Sequence, residues 1–150
     1  MTGARRLIAI TSCAALLLAA CGSTAPSAYE VVNTYLNTLA EGDYPDACGM
    51  LSAQARAAMS ISTGVRGPCA TVFTRCLPSH SLILKEDQAQ LFYASVVVTT
   101  QRSTTRAALS GTAVANALRE VTLQQTRTGW VLTSSGSGLT GCSKRHPARR

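Results

Sequence analysis

This chain of 150 residues is short of the groups that carry most enzyme chemistry. It has two histidines, His80 and His146, and seven acidic residues against fourteen basic ones. It contains no Ser-His-Asp order, no glycine loop shaped to cradle a phosphate, and no cluster of ligands at metal spacing. These absences leave no motif for triad hydrolysis, for nucleotide binding or for a resident metal, and no cofactor is implied. The chain also lacks an internal repeat and an apolar run able to span a bilayer, which takes about 20 residues. The expectation is therefore a protein that is not an enzyme.

What is present begins with Arg5 and Arg6, an apolar stretch from Leu7 to Leu18 broken by Thr11 and Ser12, and the small pair Ala19-Ala20. Positive start, apolar middle and small residues before a cut read as a secretory signal over residues 1–20. Leu18-Ala19-Ala20-Cys21 resembles the lipobox of bacterial lipoproteins. In that family a diacylglyceryl group joins the cysteine thiol and cleavage leaves the cysteine as the new N-terminus. Each buried acyl methylene contributes roughly 0.8 kcal/mol, and two chains hold where one does not. The expectation is a lipid anchor at Cys21, its partner the membrane lipid, on the extracytoplasmic face of the cell membrane.

The remainder divides into a lipidated tether (21–26), one α+β domain (27–143) and a basic tail (144–150). Removal of Arg5 and Arg6 with the signal lowers the formal charge from +7 to +5. Lys144, Arg145, Arg149 and Arg150 then sit in the tail, either against anionic headgroups or as a solvated end. The other basic residues are scattered, so nucleic acid is not an expected partner. Twelve arginines against two lysines resemble the usage of actinobacterial lipoproteins.

Cys13 leaves with the signal and Cys21 takes lipid, so Cys48, Cys69, Cys76 and Cys142 remain. An even number in an oxidising compartment implies two disulfides, and the wide spacings argue against zinc. Gly67 to Leu77 reads as a helix with Pro68 at its start. Cys69 and Cys76 are then about 10 Å apart along the axis at 1.5 Å per residue, too far for the roughly 7 Å limit between bonded α-carbons. Two pairings stay open, and Cys48–Cys69 with Cys76–Cys142 is the one adopted.

Helix signals fill the first half. Ala28, Val31, Val32, Tyr35, Leu36 and Leu39 follow helical spacing between Ser27 and Gly42. Asp43 and Pro45 start a second helix and Ser52 a third, "SAQARAAM"; residues 60–67 read as loop. Strand signals fill the second half, in Ser81–Lys85, in Gln90–Thr100 and in a hairpin, Arg119–Ser135, turning at Thr126–Gly129. Residues 107–118 carry alanines that favour helix but stand between strands, and are read as strand. Helices followed by an antiparallel meander give an α+β fold with the helices on one sheet face.

"LAEGDYPDACGMLS", the helix at Cys69 and the closing "VTLQQTRTGWVL" together resemble the nuclear-transport-factor-2-like superfamily, in particular its small lipoproteins. The echoes are Gly42-Asp43, Ala47-Cys48 with Leu51-Ser52, and Gly129-Trp130, across most of residues 28–135. The resemblance implies a cone, with a curved sheet wrapped around a long helix and a pocket at its open end. It also implies a Cys48–Cys69 bond and pairing of two copies through their sheets, a homodimer. Some relatives are isomerases or cyclases and others only bind, so fold does not choose function.

An isomerase-like site needs a base in the cone and a donor for the oxyanion. Glu30, Glu41, Asp43 and Asp46 read as helix-surface or cap residues, and Glu86 and Asp87 as a turn. Tyr93, Ser95 and Glu120 are the candidates for a pocket, Tyr93 and Ser95 lying with Thr99 on a half-polar strand face. The favoured expectation is a non-catalytic module that binds a small apolar ligand or an envelope protein partner. An isomerase or cyclase, or a purely accessory subunit of an envelope complex, is the alternative.

Overall fold

Ser27 and Glu30 cap each other at the head of α1 (Ala28–Glu41). The Ser27 hydroxyl accepts from the Glu30 amide at 3.3 Å, and the Glu30 carboxylate accepts from the Ser27 amide at 2.6 Å. This box satisfies two amides that a helix start leaves unpaired. Gly42, at a left-handed φ of 81°, ends the helix by returning its amide to the Leu39 carbonyl. Val32, Tyr35, Leu36 and Leu39 form the buried stripe, so the spacing read from sequence is the face that meets the core.

The computed structural model describes residues 25–78 and 94–142. Cys21, Tyr93, the signal segment, the strand expected at 81–85, the first residues of the strand expected at 90–100 and the basic tail lie outside the described residues, as do His80, Glu86, Asp87 and His146.

Asp43 caps α2 (Tyr44–Gly49) by accepting from the Asp46 amide, with Pro45 in the first turn. Leu51 then forms a parallel bridge with Leu132, and Ser52 caps α3 (Ala53–Thr63) by accepting from the Ala55 amide at 3.1 Å. The helix runs further than the sequence reading had it, because Ser60–Thr63 continue it instead of opening a loop. Thr63 is buried one turn below Met59, and its hydroxyl donates to the Met59 carbonyl at 2.6 Å. Gly64, at φ 74°, makes the stop.

Helix α4 (Cys69–Cys76) follows Pro68 and buries Val72, Phe73 and Cys76. It is bonded at both ends. Cys48 joins Cys69 across α-carbons 6.0 Å apart, and Cys76 joins Cys142 across 5.6 Å. The first bond fastens α2 to the start of α4; the second fastens the end of α4 to the end of the described chain. Loops of 21 and 66 residues correspond to roughly 3 and 4 kcal/mol of unfolded-state restriction.

The second half is an open antiparallel sheet in chain order: β1 (Ser95–Gln101), β2 (Thr104–Ser110), β3 (Glu120–Thr126) and β4 (Gly129–Leu132). Rows such as Val98–Ala107–Val121 and Thr105–Leu123–Leu132 cross it. Ala107, Leu109, Val121, Leu123 and Leu132 on the inner face share one buried cluster with Val32, Tyr35, Leu39, Met59 and Phe73. The expected α+β order, helices and then an antiparallel sheet, is what the chain adopts.

Residues 107–118 correct the strand reading. The strand continues only to Ser110, and α5 (Ala113–Leu118) follows. Gly111, at φ 101°, breaks the extended backbone. The Thr112 hydroxyl then accepts from the Ala115 amide at 3.1 Å, which is the N-cap that starts a helix. Val114, Ala115 and Leu118 bury its inner face.

Candidate functional site

Alternation along the strands decides which side chains face away from the buried core. On β2, Thr105, Ala107 and Leu109 are buried, so Thr104, Arg106, Ala108 and Ser110 face outward. The register carries this outer face onto Val97 and Thr99 of β1 and onto Glu120, Thr122 and Gln124 of β3. Val97 is 60 % exposed there, an apolar side chain left on a polar surface.

Two of the three residues singled out from sequence fall on this outer face. Ser95 is exposed and pairs with Ser110 at the end of the β1–β2 ladder, beyond the row Val97–Ala108–Glu120. Glu120 begins β3, with its carboxylate 3.8 Å from the Arg106 guanidinium. Both side chains are well solvated, at 38 % and 60 % exposure, so the pair is weakly stabilising. The structure sets Ser95 and Glu120 on one face.

Glu120 lines an open cleft of about 310 Å³ between α3, at Ala55, Ala58 and Ser62, and the chain that follows β4. Its walls are rich in hydroxyls, several of them already used within the fold. Thr122 and Thr133 share a hydrogen bond at 3.0 Å, and the Ser134 hydroxyl accepts from the Thr122 amide at 2.9 Å. A second cleft of about 390 Å³ shares Ala55, Ala58 and Thr133 with the first and runs past Gln54 and Gln124 to Thr104. Thr104 also lines a third, wider cleft with Gln101, Arg102 and Arg106. Sharing these residues, the three clefts adjoin one another in a trough that is hydroxyl-rich with apolar wall at Ala55, Ala58 and Leu123, and cationic at the Arg102–Arg106 end.

Nothing in sequence order announced this trough, because its walls come from residues 54–62, 101–106, 120–124 and 133–140. The one local signal is the Ser/Thr-rich stretch after Leu132.

The buried tyrosine serves a different purpose. The Tyr35 hydroxyl donates to the Ser135 carbonyl at 3.1 Å, and its ring meets Phe73 edge-on at 6.3 Å. Burial raises the phenol far above its ordinary range, so it stays protonated and acts as a fixed donor. Burial also raises Tyr44, whose ring lies 6.0 Å from Phe73. Glu30 is held below the usual carboxylate range by the Ser27 amide first and the Ser27 hydroxyl second.

Among the described residues no three His, Cys, Asp or Glu side chains gather as metal ligands, and no helix is long and apolar enough to cross a membrane. Comparison with protein-family models, with curated proteins and with solved structures finds no match to this chain.

Proposed function

We propose that the chain is a lipoprotein anchored through Cys21 to the extracytoplasmic face of the cell membrane, and that its folded part is a non-catalytic binding module. The observation that carries the reading is Cys21 directly behind a short apolar run, followed by a domain whose four other cysteines are all bonded. Disulfides of this kind persist in oxidising compartments, which agrees with export and with acylation at the outer face. Helices followed by an open antiparallel sheet are compatible with the cone-shaped, nuclear-transport-factor-2-like reading, and with pairing of two copies.

The trough favours a protein partner over a small apolar ligand. Pockets for apolar ligands are mostly lined by hydrophobic and aromatic side chains, whereas these clefts set hydroxyls, carboxamides and guanidinium groups beside Ala55, Ala58 and Leu123, with no aromatic side chain among the residues that line them. Its residues offer positioned donors and acceptors to an extended chain rather than a greasy enclosure.

The experiment is Cys21→Ser, expressed in the native host and followed by membrane fractionation. The expected result is release from the membrane or accumulation of uncleaved precursor. Normal cleavage with undiminished membrane retention would overturn the anchor.

A further inference from the structure

We propose that the cationic end of the trough, formed by Arg102 and Arg106 with Arg127 in the neighbouring turn at the same end of the sheet, docks an acidic segment of a protein partner. The proposal rests on the binding-module reading above and gives the partner a chemistry.

Charge separation between the two halves is the first ground. Residues 95–142 contain four arginines and a single carboxylate, Glu120. The other acidic groups among the described residues, Glu30, Glu41, Asp43 and Asp46, belong to α1, α2 and the turn between them. The sheet half thus carries an excess of positive charge, four arginines against one carboxylate.

Topology then concentrates that charge. The β1–β2 turn at Arg102-Ser103 and the β3–β4 turn at Arg127-Thr128 lie at the same end of the meander, since Gln101 pairs with Thr104, Thr104 with Gln124, and Thr126 with Gly129. Two strand spacings separate the turns, about 10 Å. Arg106 stands on the outer face two residues along from Thr104 and lines the same cleft as Arg102. Carboxylates on one side of an extended peptide recur every two residues, about 7 Å, so such a segment can meet these guanidinium groups in succession.

Partnership is the third ground. Among the described residues neither Arg102 nor Arg127 has an ion-pair or hydrogen-bond partner. Among the described residues Arg106 has only the loose Glu120 pair at 3.8 Å, an internal carboxylate that an external, bidentate one would replace with better geometry. Recognition of acidic motifs by arginine clusters is an established mode of peptide binding. A flat layer of anionic headgroups would meet the two turns alone. A peptide also uses the trough behind them, where Gln101, Thr104, Gln124 and Gln54 supply hydrogen-bonding groups for its main chain.

The test uses the full-length protein extracted in neutral detergent and a fluorescent peptide of alternating Glu and Ser, with binding read by anisotropy. The expected result is binding that weakens as salt approaches about 0.15 M. Replacing Arg102→Gln, Arg106→Gln and Arg127→Gln together lowers affinity about tenfold, while Arg66→Gln with Arg75→Gln leaves it unchanged. Melting of each variant is followed in parallel. If the triple variant does not fold, Arg102→Gln and Arg127→Gln singly are each expected to weaken binding about threefold. Equal losses in both sets of variants, or no peptide binding even at low salt, would overturn the proposal. So would an arginine-dependent attachment to phosphatidylglycerol vesicles without peptide binding. A lipid-free protein that still binds the peptide would defeat the anchor and leave this site standing; a lipidated protein that ignores it would defeat the site alone.

Discussion

The Tyr35 hydroxyl donates to the carbonyl of Ser135, closing a distance of 3.1 Å across 100 positions of sequence. This bond joins the middle of the first helix to the chain that leaves the last strand. It puts a polar link inside the core where Tyr35 is fully buried. Tyr35→Phe keeps the ring against Phe73 and strands a buried carbonyl, so a loss of about 1–3 kcal/mol is expected. Urea unfolding measures it, and unchanged stability would show that water takes the hydroxyl's place.

The two disulfides are expected to contribute unequally. Replacing Cys76 and Cys142 with alanine opens a loop of 66 residues, against 21 for Cys48 and Cys69. The chain-restriction model gives a larger loss for the former pair by about 1 kcal/mol. Thermal melts of the two double variants provide the comparison, and the reverse order would mean that native packing outweighs loop length.

Acid sensitivity should appear at the start of α1. The Glu30 pKa is lowered in the fold by the Ser27 amide and hydroxyl. Its contribution is therefore complete above the unfolded value, near 4.3, and disappears as pH falls through the folded value. Stability measured from neutral pH downward should show a difference between the wild type and Glu30→Gln that closes in acid. A difference independent of pH would contradict the cap.

Gly138 and Gly49 make a matched pair. A Cβ at Gly138 would run into the Ala117 carbonyl oxygen, while one at Gly49 meets nothing within 4 Å. Gly138→Ala is expected to cost about 1–3 kcal/mol or more. Gly49→Ala, in the last turn of α2, is expected to be neutral or mildly stabilising. Chemical unfolding of both variants settles the matter, and similar behaviour would mean that the chain around α5 yields freely.

What could be read beforehand follows from how local each signal is. Helix α1 carries its own stripe and both caps within sixteen residues, so Ser27, Tyr35 and Gly42 suffice to place it. The last four residues of α3 were not legible, because Thr63 is helical through its burial and its bond to Met59, both products of tertiary packing. In residues 107–118 the alanines serve strand and helix alike; only Gly111 and Thr112 mark the change, and a glycine-threonine step is a weak signal by itself. The placement of Ser95 and Glu120 needed the strand register, which pairs Ser95 with Ser110 and Glu120 with Ala108. The cationic end needed the meander, since Arg102 and Arg127 come to the same end of the sheet only when two hairpin turns are laid side by side.

Anchoring through Cys21 is tested by the intact mass of the processed protein, taken from its native membrane and sprayed under non-denaturing conditions. The expected mass is that of a chain beginning at Cys21, heavier by a diacylglyceryl group and lighter by the four hydrogens of two disulfides. A chain beginning elsewhere, or one whose Cys21 carries no lipid, would contradict it.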